Sequence, residues 1–281
     1  MRWQGGRRSG NIEDRRGLGP AAGGLGAGGV ILALIGYFVF GVSPQTTLQA
    51  VDAVGGGQQQ QKGVIGAPSD EAGAFVDTVA TSVDEVWASV FRNQGQAYKP
   101  PAAVVLYDER TSTGCGTGQA AMGPFYCPAD QRVYLDLAFW RELETRFGAR
   151  GEAARAYVIA HEIGHHVQHL TGQTENVGAG SRGADSASVR LELQADCYAG
   201  VWAAHAQEVS GGAVALDAKD IEDGLGAAAA VGDDTLQRKS QGQVVPDAFT
   251  HGSSEQRMRW FRTGVDAGDP AACDTFKARR L

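Results

Sequence analysis

The tightest demand on how this 281-residue chain folds comes from His161-Glu-Ile-Gly-His165, two histidines four positions apart with a glutamate directly after the first. Side chains at i and i+4 share one face about a turn apart only on a helix. The segment must therefore be helical if both imidazoles are to meet one partner. Such a pair can bind a single zinc ion, each nitrogen at roughly 2.0–2.1 Å. Glu162 then lies beside a metal-activated water instead of on the metal. Zinc lowers the pKa of its water to about 7, and a neighbouring carboxylate can accept the released proton. The apolar run Ala156-Tyr-Val-Ile-Ala160 just upstream sets the histidines at the edge of a core.

A catalytic zinc site needs a third protein ligand and one open position. One known arrangement requires Gly at 168 and His at 171, but Gln168 and Thr171 stand there, which excludes the metzincin pattern. Glu192-Leu-Gln-Ala-Asp196 supplies the alternative. On a following helix Glu192 and Asp196 share a face, so Glu192 can ligate while Asp196 accepts the second ring N–H of a ligand histidine and fixes its tautomer.

Periodicity supplies the surroundings. Phe75, Val79, Val83, Val86 and Val90 recur at helical spacing after Asp70, giving a helix of about six turns. Residues 102–107, 125–127 and 133–137 read as strands, the last two as a hairpin or the edge of a small sheet. Helices are expected over 138–148, 152–170 and 184–209, with Asp217 capping another. Ser253 and Gln256 form a capping-box pattern that opens a last helix. The expected fold is α+β, mostly helical with one small sheet, over residues 70–281.

Ahead of this domain the composition changes. Residues 17–42 hold no charged side chain and include the apolar run from Val30 to Val42, long enough with the approach from Leu18 for a spanning helix. Arg2, Arg7, Arg8, Arg15 and Arg16 all precede it, which by the positive-inside rule makes residues 1–17 a cytoplasmic basic head. The expectation is a membrane anchor over 18–42, a flexible Gly/Gln-rich linker over 43–69 and an extracytoplasmic domain. A secreted chain released by signal cleavage is the alternative, although no Ala-x-Ala site follows Val42. The net charge of −7 gives no support to nucleic-acid binding. Four cysteines suit an exported chain. Cys115 and Cys127 are spaced to clip a loop, leaving Cys197 and Cys273 as a second pair or as free buried thiols.

His-Glu-Ile-Gly-His followed by Glu-Leu-Gln-Ala-Asp resembles the gluzincin clan, nearest its compact members with E-x-x-A-D. The runs Gly123-Pro-Phe-Tyr-Cys-Pro128, Val133-Tyr-Leu-Asp136 and Phe249-Thr-His-Gly-Ser-Ser-Glu-Gln-Arg257 resemble a bacterial family of neutral zinc metallopeptidases, from about residue 70 to the end. That resemblance implies a zincin-like domain, an N-terminal membrane segment, zinc as cofactor and peptides or proteins as substrates. It also implies that His251 steadies the oxyanion of the tetrahedral intermediate, though a surface or capping role fits its position as well. His166 and His169 read as solvent-exposed, His205 as a late helical residue without a partner, and Tyr126 and Tyr134 as substrate edge or strand packing. The function expected is peptide-bond hydrolysis by zinc-activated water, with Glu162 as general base and His161, His165 and Glu192 as ligands. A non-catalytic zinc domain tethered to a membrane is the alternative.

Overall fold

The computed structural model describes residues 1–18, 62–178 and 180–281. The expected anchor beyond Leu18, and the linker as far as residue 61, lie outside the described residues. Among the described residues no helix is long and apolar enough to cross a membrane.

A five-stranded mixed sheet forms one layer. Its strands are β1 (Ile12–Asp14), β2 (Val64–Ile65), β3 (Ala103–Tyr107), β6 (Phe125–Cys127) and β7 (Arg132–Asp136), in the order β2-β1-β3-β7-β6. β1 and β7 run parallel to the central β3, whereas β2 and β6 are antiparallel edges. All five residues of β3 are buried. Val104 and Leu106 enter the main core, while Ala103, Val105 and Tyr107 join Cys127 and Tyr134 on the opposite face. A strand covered on both faces reads as an unbroken apolar run, as this one does. β4 (Arg110–Thr113) and β5 (Gly116–Gln119) pair as a separate hairpin in the segment read from sequence as a plain loop. The Cys115–Cys127 disulfide ties that hairpin to β6.

Residues 1–17 are not a detached basic head, because the domain incorporates them. Ile12 and Trp3 are buried in the main core, and the Trp3 ring packs edge-on against Phe75 at 5.2 Å. Arg15 is 3% exposed, paired with Glu13 at 2.8 Å and bonded to Thr111 and Ser112 of β4. Arg16 bridges Asp14 and Asp70. The folded unit thus begins well before Asp70, with β1 lying between β2 and β3.

The helices cover the sheet. α1 (Glu71–Asn93), capped by Asp70, buries Phe75, Val79, Val83, Val86 and Trp87 along one stripe. α2 (Ala138–Thr145), α3 (Glu152–Leu170), α4 (Ala187–Val209), α5 (Ala218–Ala230), α6 (Asp233–Gln241) and α7 (Ser254–Ala267) follow. The capping boxes at Asp217 and Ser253 are both closed. α4 and α7 cross in backbone contact, since a Cβ on Gly264 would lie 1.9 Å from the Cys197 carbonyl and one on Gly200 2.2 Å from that of Phe261. The second pair of cysteines, Cys197 and Cys273, is bonded and staples α4 to the C-terminal turn.

Candidate metal centre

α3 carries His161 and His165, and α4 runs close enough beside it to bring Glu192 between them. Gly164 permits this approach. A Cβ there would lie 3.2 Å from the Ala195 carbonyl oxygen and 3.3 Å from its Cα, so a larger side chain would press the helices apart. His161 Nε2 lies 3.2 Å from one Glu192 carboxylate oxygen, and His165 Nε2 lies 3.6 Å from the other. Ligand atoms held at 2.0–2.1 Å around a tetrahedral ion are separated by roughly 3.4 Å. The three donors all fall within 4.8 Å of one another, so the set fits a zinc ion in both chemistry and spacing.

Both imidazoles are held from behind. Asp196, fully buried, accepts from His161 Nδ1–H at 2.8 Å, which leaves Nε2 as the ring nitrogen that faces Glu192. His165 Nδ1 donates to Gln168 Oε1 at 2.8 Å, and the Gln168 amide is fixed in turn by the Leu191 carbonyl and Gln194. Asp196 is itself clamped. Arg257, from α7 and 4% exposed, reaches both of its oxygens at 2.9 Å, and the Tyr157 hydroxyl donates to it at 2.5 Å. A buried carboxylate carrying this many donors stays ionised.

The electrostatics agree with that arrangement. Burial opposes charge on His161, but Asp196 and Glu192 outweigh it and lift its pKa to about 9. Burial would raise the Glu192 carboxyl, yet the two histidines hold it well below the ordinary range. Asp196 is likewise depressed against its burial by Arg257 and His161. Glu162 is 7% exposed, on the same helix and next to His161, and its charge acts on His165. It stands outside the donor triad.

His251 lies in the turn before α7, its side chain 43% exposed. Its Nδ1 is 3.3 Å from Asp233, whose other oxygen accepts the backbone N–H groups of Thr250, His251 and Gly252. Desolvation works against its protonation, and Asp233 together with the charge of Glu192 raises its pKa. His251 therefore sits within electrostatic reach of the triad.

His166 differs from the sequence reading. It is fully buried, its Nε2–H donating to the Lys99 carbonyl at 2.8 Å and its Nδ1 accepting from the Tyr126 hydroxyl at 3.0 Å. Burial pushes its pKa down to about 4, as a neutral ring in this position requires. The contact fastens edge strand β6 to α3, the helix that bears the two histidines of the triad. His169 is half-buried, and His205 donates to the Gly268 carbonyl at 2.7 Å, so neither is simply a solvated surface group. Tyr157, Gln168 and Arg257 are the site residues that sequence reasoning missed. Gln168 could have been found, because it lies three residues after His165 on the same helix face. Arg257 lies 61 positions beyond Asp196, and no local pattern links the two.

Comparison with known proteins points the same way. A family model described as "Putative neutral zinc metallopeptidase" matches residues 1–276. The chain is 46% identical to "Uncharacterized protein YpfJ" of Escherichia coli (strain K12), over 98% of this chain and 99% of that one. It is 43% identical to "Uncharacterized protein Rv2575" of Mycobacterium tuberculosis (strain ATCC 25618 / H37Rv), over 88% of this chain and 86% of that one. No solved structure matches the chain at a significant level. The family implies zinc as cofactor, and the triad of donors is the group that fits it; the chain belongs to the family of neutral zinc metallopeptidases.

Proposed function

We propose that this chain hydrolyses peptide bonds, with His161, His165 and Glu192 holding zinc, Asp196 orienting His161, and Glu162 as general base. The observation that carries the reading is the separation of roles at one point. Three donors converge, and a further group, the buried carboxylate of Glu162, lies beside them without joining them. A purely structural zinc site has no use for that carboxylate. Zinc, when bound, supplies Lewis-acid polarisation and makes water acidic near neutral pH. Glu162 takes the proton from the attacking water and passes it to the leaving amine. His251, kept oriented by Asp233, donates toward the developing oxyanion. β6 is an edge strand tied to α3 through Tyr126 and His166, which suits it to hold an extended peptide by main-chain hydrogen bonds.

Two disulfides support an exported, oxidising location, and the uncharged stretch over 18–42 supports contact with a membrane there. The substrates proposed are therefore peptides or proteins of that compartment.

Glu162→Gln tests the reading. It keeps size and shape but removes the proton acceptor. The variant should bind zinc as the parent does and lose about 10²–10⁴-fold in turnover, the usual loss for a general base. Peptide hydrolysis at the parent rate by the pure variant would refute the mechanism. Absence of hydrolysis by the zinc-loaded parent, over a broad peptide library, would favour the non-catalytic zinc domain.

A further inference from the structure

Leu18 and Lys62, the residues that bracket 19–61, leave and re-enter the domain at one corner. β1 ends at Asp14 and β2 begins at Val64, and these two residues are directly paired across an antiparallel ladder. Residues 19–61 are thus an insertion between two adjoining strands of one sheet. Closure entropy grows slowly with loop length, so a strand connection tolerates such an insertion.

The first eighteen residues are bound to every part of the domain they touch. β1 pairs with β3 through Ile12, Glu13 and Asp14. The Met1 amine meets Asp220 of α5 at 2.8 Å, and Trp3 Nε1 donates to Glu152 of α3 at 2.7 Å. The arginines that suggested a cytoplasmic head are engaged too. Arg7 pairs with Glu85 of α1, Arg8 donates to the Pro68 carbonyl, Arg15 is buried against Glu13, and Arg16 joins Asp14 to Asp70. The positive-inside rule concerns loops left free on either side of a membrane. These residues belong to a folded body.

A single crossing over 18–42 would set residues 1–17 on the side opposite the metal centre and strip β1 from the sheet. A return crossing would need a second apolar run of about 20 residues. Residues 43–61 contain Asp52 and the run Gly55-Gly-Gly-Gln-Gln-Gln-Gln61 instead. We infer that residues 1–18 and 62–281 occupy the same compartment, on one side of any bilayer the chain meets. The inference rests on strand pairing and stands apart from the zinc chemistry.

Thiol labelling in intact cells tests it. The four native cysteines are all bonded, so one added cysteine reports its own location. Arg7→Cys and Arg280→Cys, at side chains 68% and 82% exposed, are each introduced into the full chain and treated with a membrane-impermeant maleimide before and after lysis. The expected result is the same behaviour at both sites, with a ratio of pre-lysis to post-lysis labelling that agrees between them. Equal labelling supports the inference whether both sites face outward or both inward. Labelling of one site in intact cells, with the other reacting only after lysis, would overturn it and restore the single-pass arrangement. The readout involves neither metal nor turnover, so either result leaves the peptidase reading to its own experiment.

Discussion

The half of the molecule built on α3, α4 and α7 and the half built on the sheet were encoded in different ways. In the first, the chemistry lies in short sequence windows, and the i,i+4 spacing of His161 and His165 and of Glu192 and Asp196 survives into the structure as shared helix faces. In the second, the central order of strands depends on residues that meet from far apart. β1 is Ile-Glu-Asp, with only one apolar residue, and nothing local marks it as a strand between two others. A functional motif can thus be read while the scaffold that supports it remains hidden.

Trp3→Ala probes the less legible half most directly. If residues 1–18 are structural, truncating this buried ring should cost about 3–5 kcal/mol, measured by denaturant unfolding. An unchanged midpoint would return the segment to the status of an appendage. In the helical half, Arg257→Met leaves Asp196 buried without its cation, and breaking a buried pair of this kind costs about 3–5 kcal/mol. Zinc affinity should fall with it, and chelator competition on the folded fraction checks this. Full zinc affinity in a stable variant would show that α7 merely packs beside the site.

Breaking the clip on the sheet side comes next. Cys115→Ser with Cys127→Ser should destabilise by about 3 kcal/mol in the chain-entropy account of a short loop, without altering zinc affinity. For zinc binding itself, Asp196→Asn should bring a roughly ten- to hundredfold loss of affinity in the folded fraction, through the misdirected His161 ring. A loss that Arg257→Met does not exceed would place all of the clamp's value in the carboxylate.

How much was legible follows the same division. The cap at Asp217, the capping box at Ser253, the long α1 stripe, the β6–β7 hairpin and the pairing of Cys115 with Cys127 were readable, since each rests on neighbours within a few turns or a short loop. The mixed α+β character followed from them. Gln168 was read only for what it excluded, although it holds His165. His166 was taken for a surface residue because its partners, Lys99 and Tyr126, lie 67 and 40 positions away. The pairing of the arginine-rich start with the domain was hidden for a related reason. Charge counting cannot tell a free cation from one already paired with Glu13, Asp14, Asp70 or Glu85.

The parallel pairing of β1 with β3 sets an order of assembly. β1 precedes its partner in the chain by about 90 residues. Long-range strand pairing of this kind is slow and leaves edges waiting. Until β3 arrives, an exposed strand could join the wrong neighbour. Glu13, Asp14, Arg15 and Arg16 give the waiting strand alternating blocks of charge, a common guard against edge-to-edge association. The same side chains become buried or paired once the sheet closes. They thus act twice, first as a deterrent to misassembly and later as the lock that holds β1 in place beside β3.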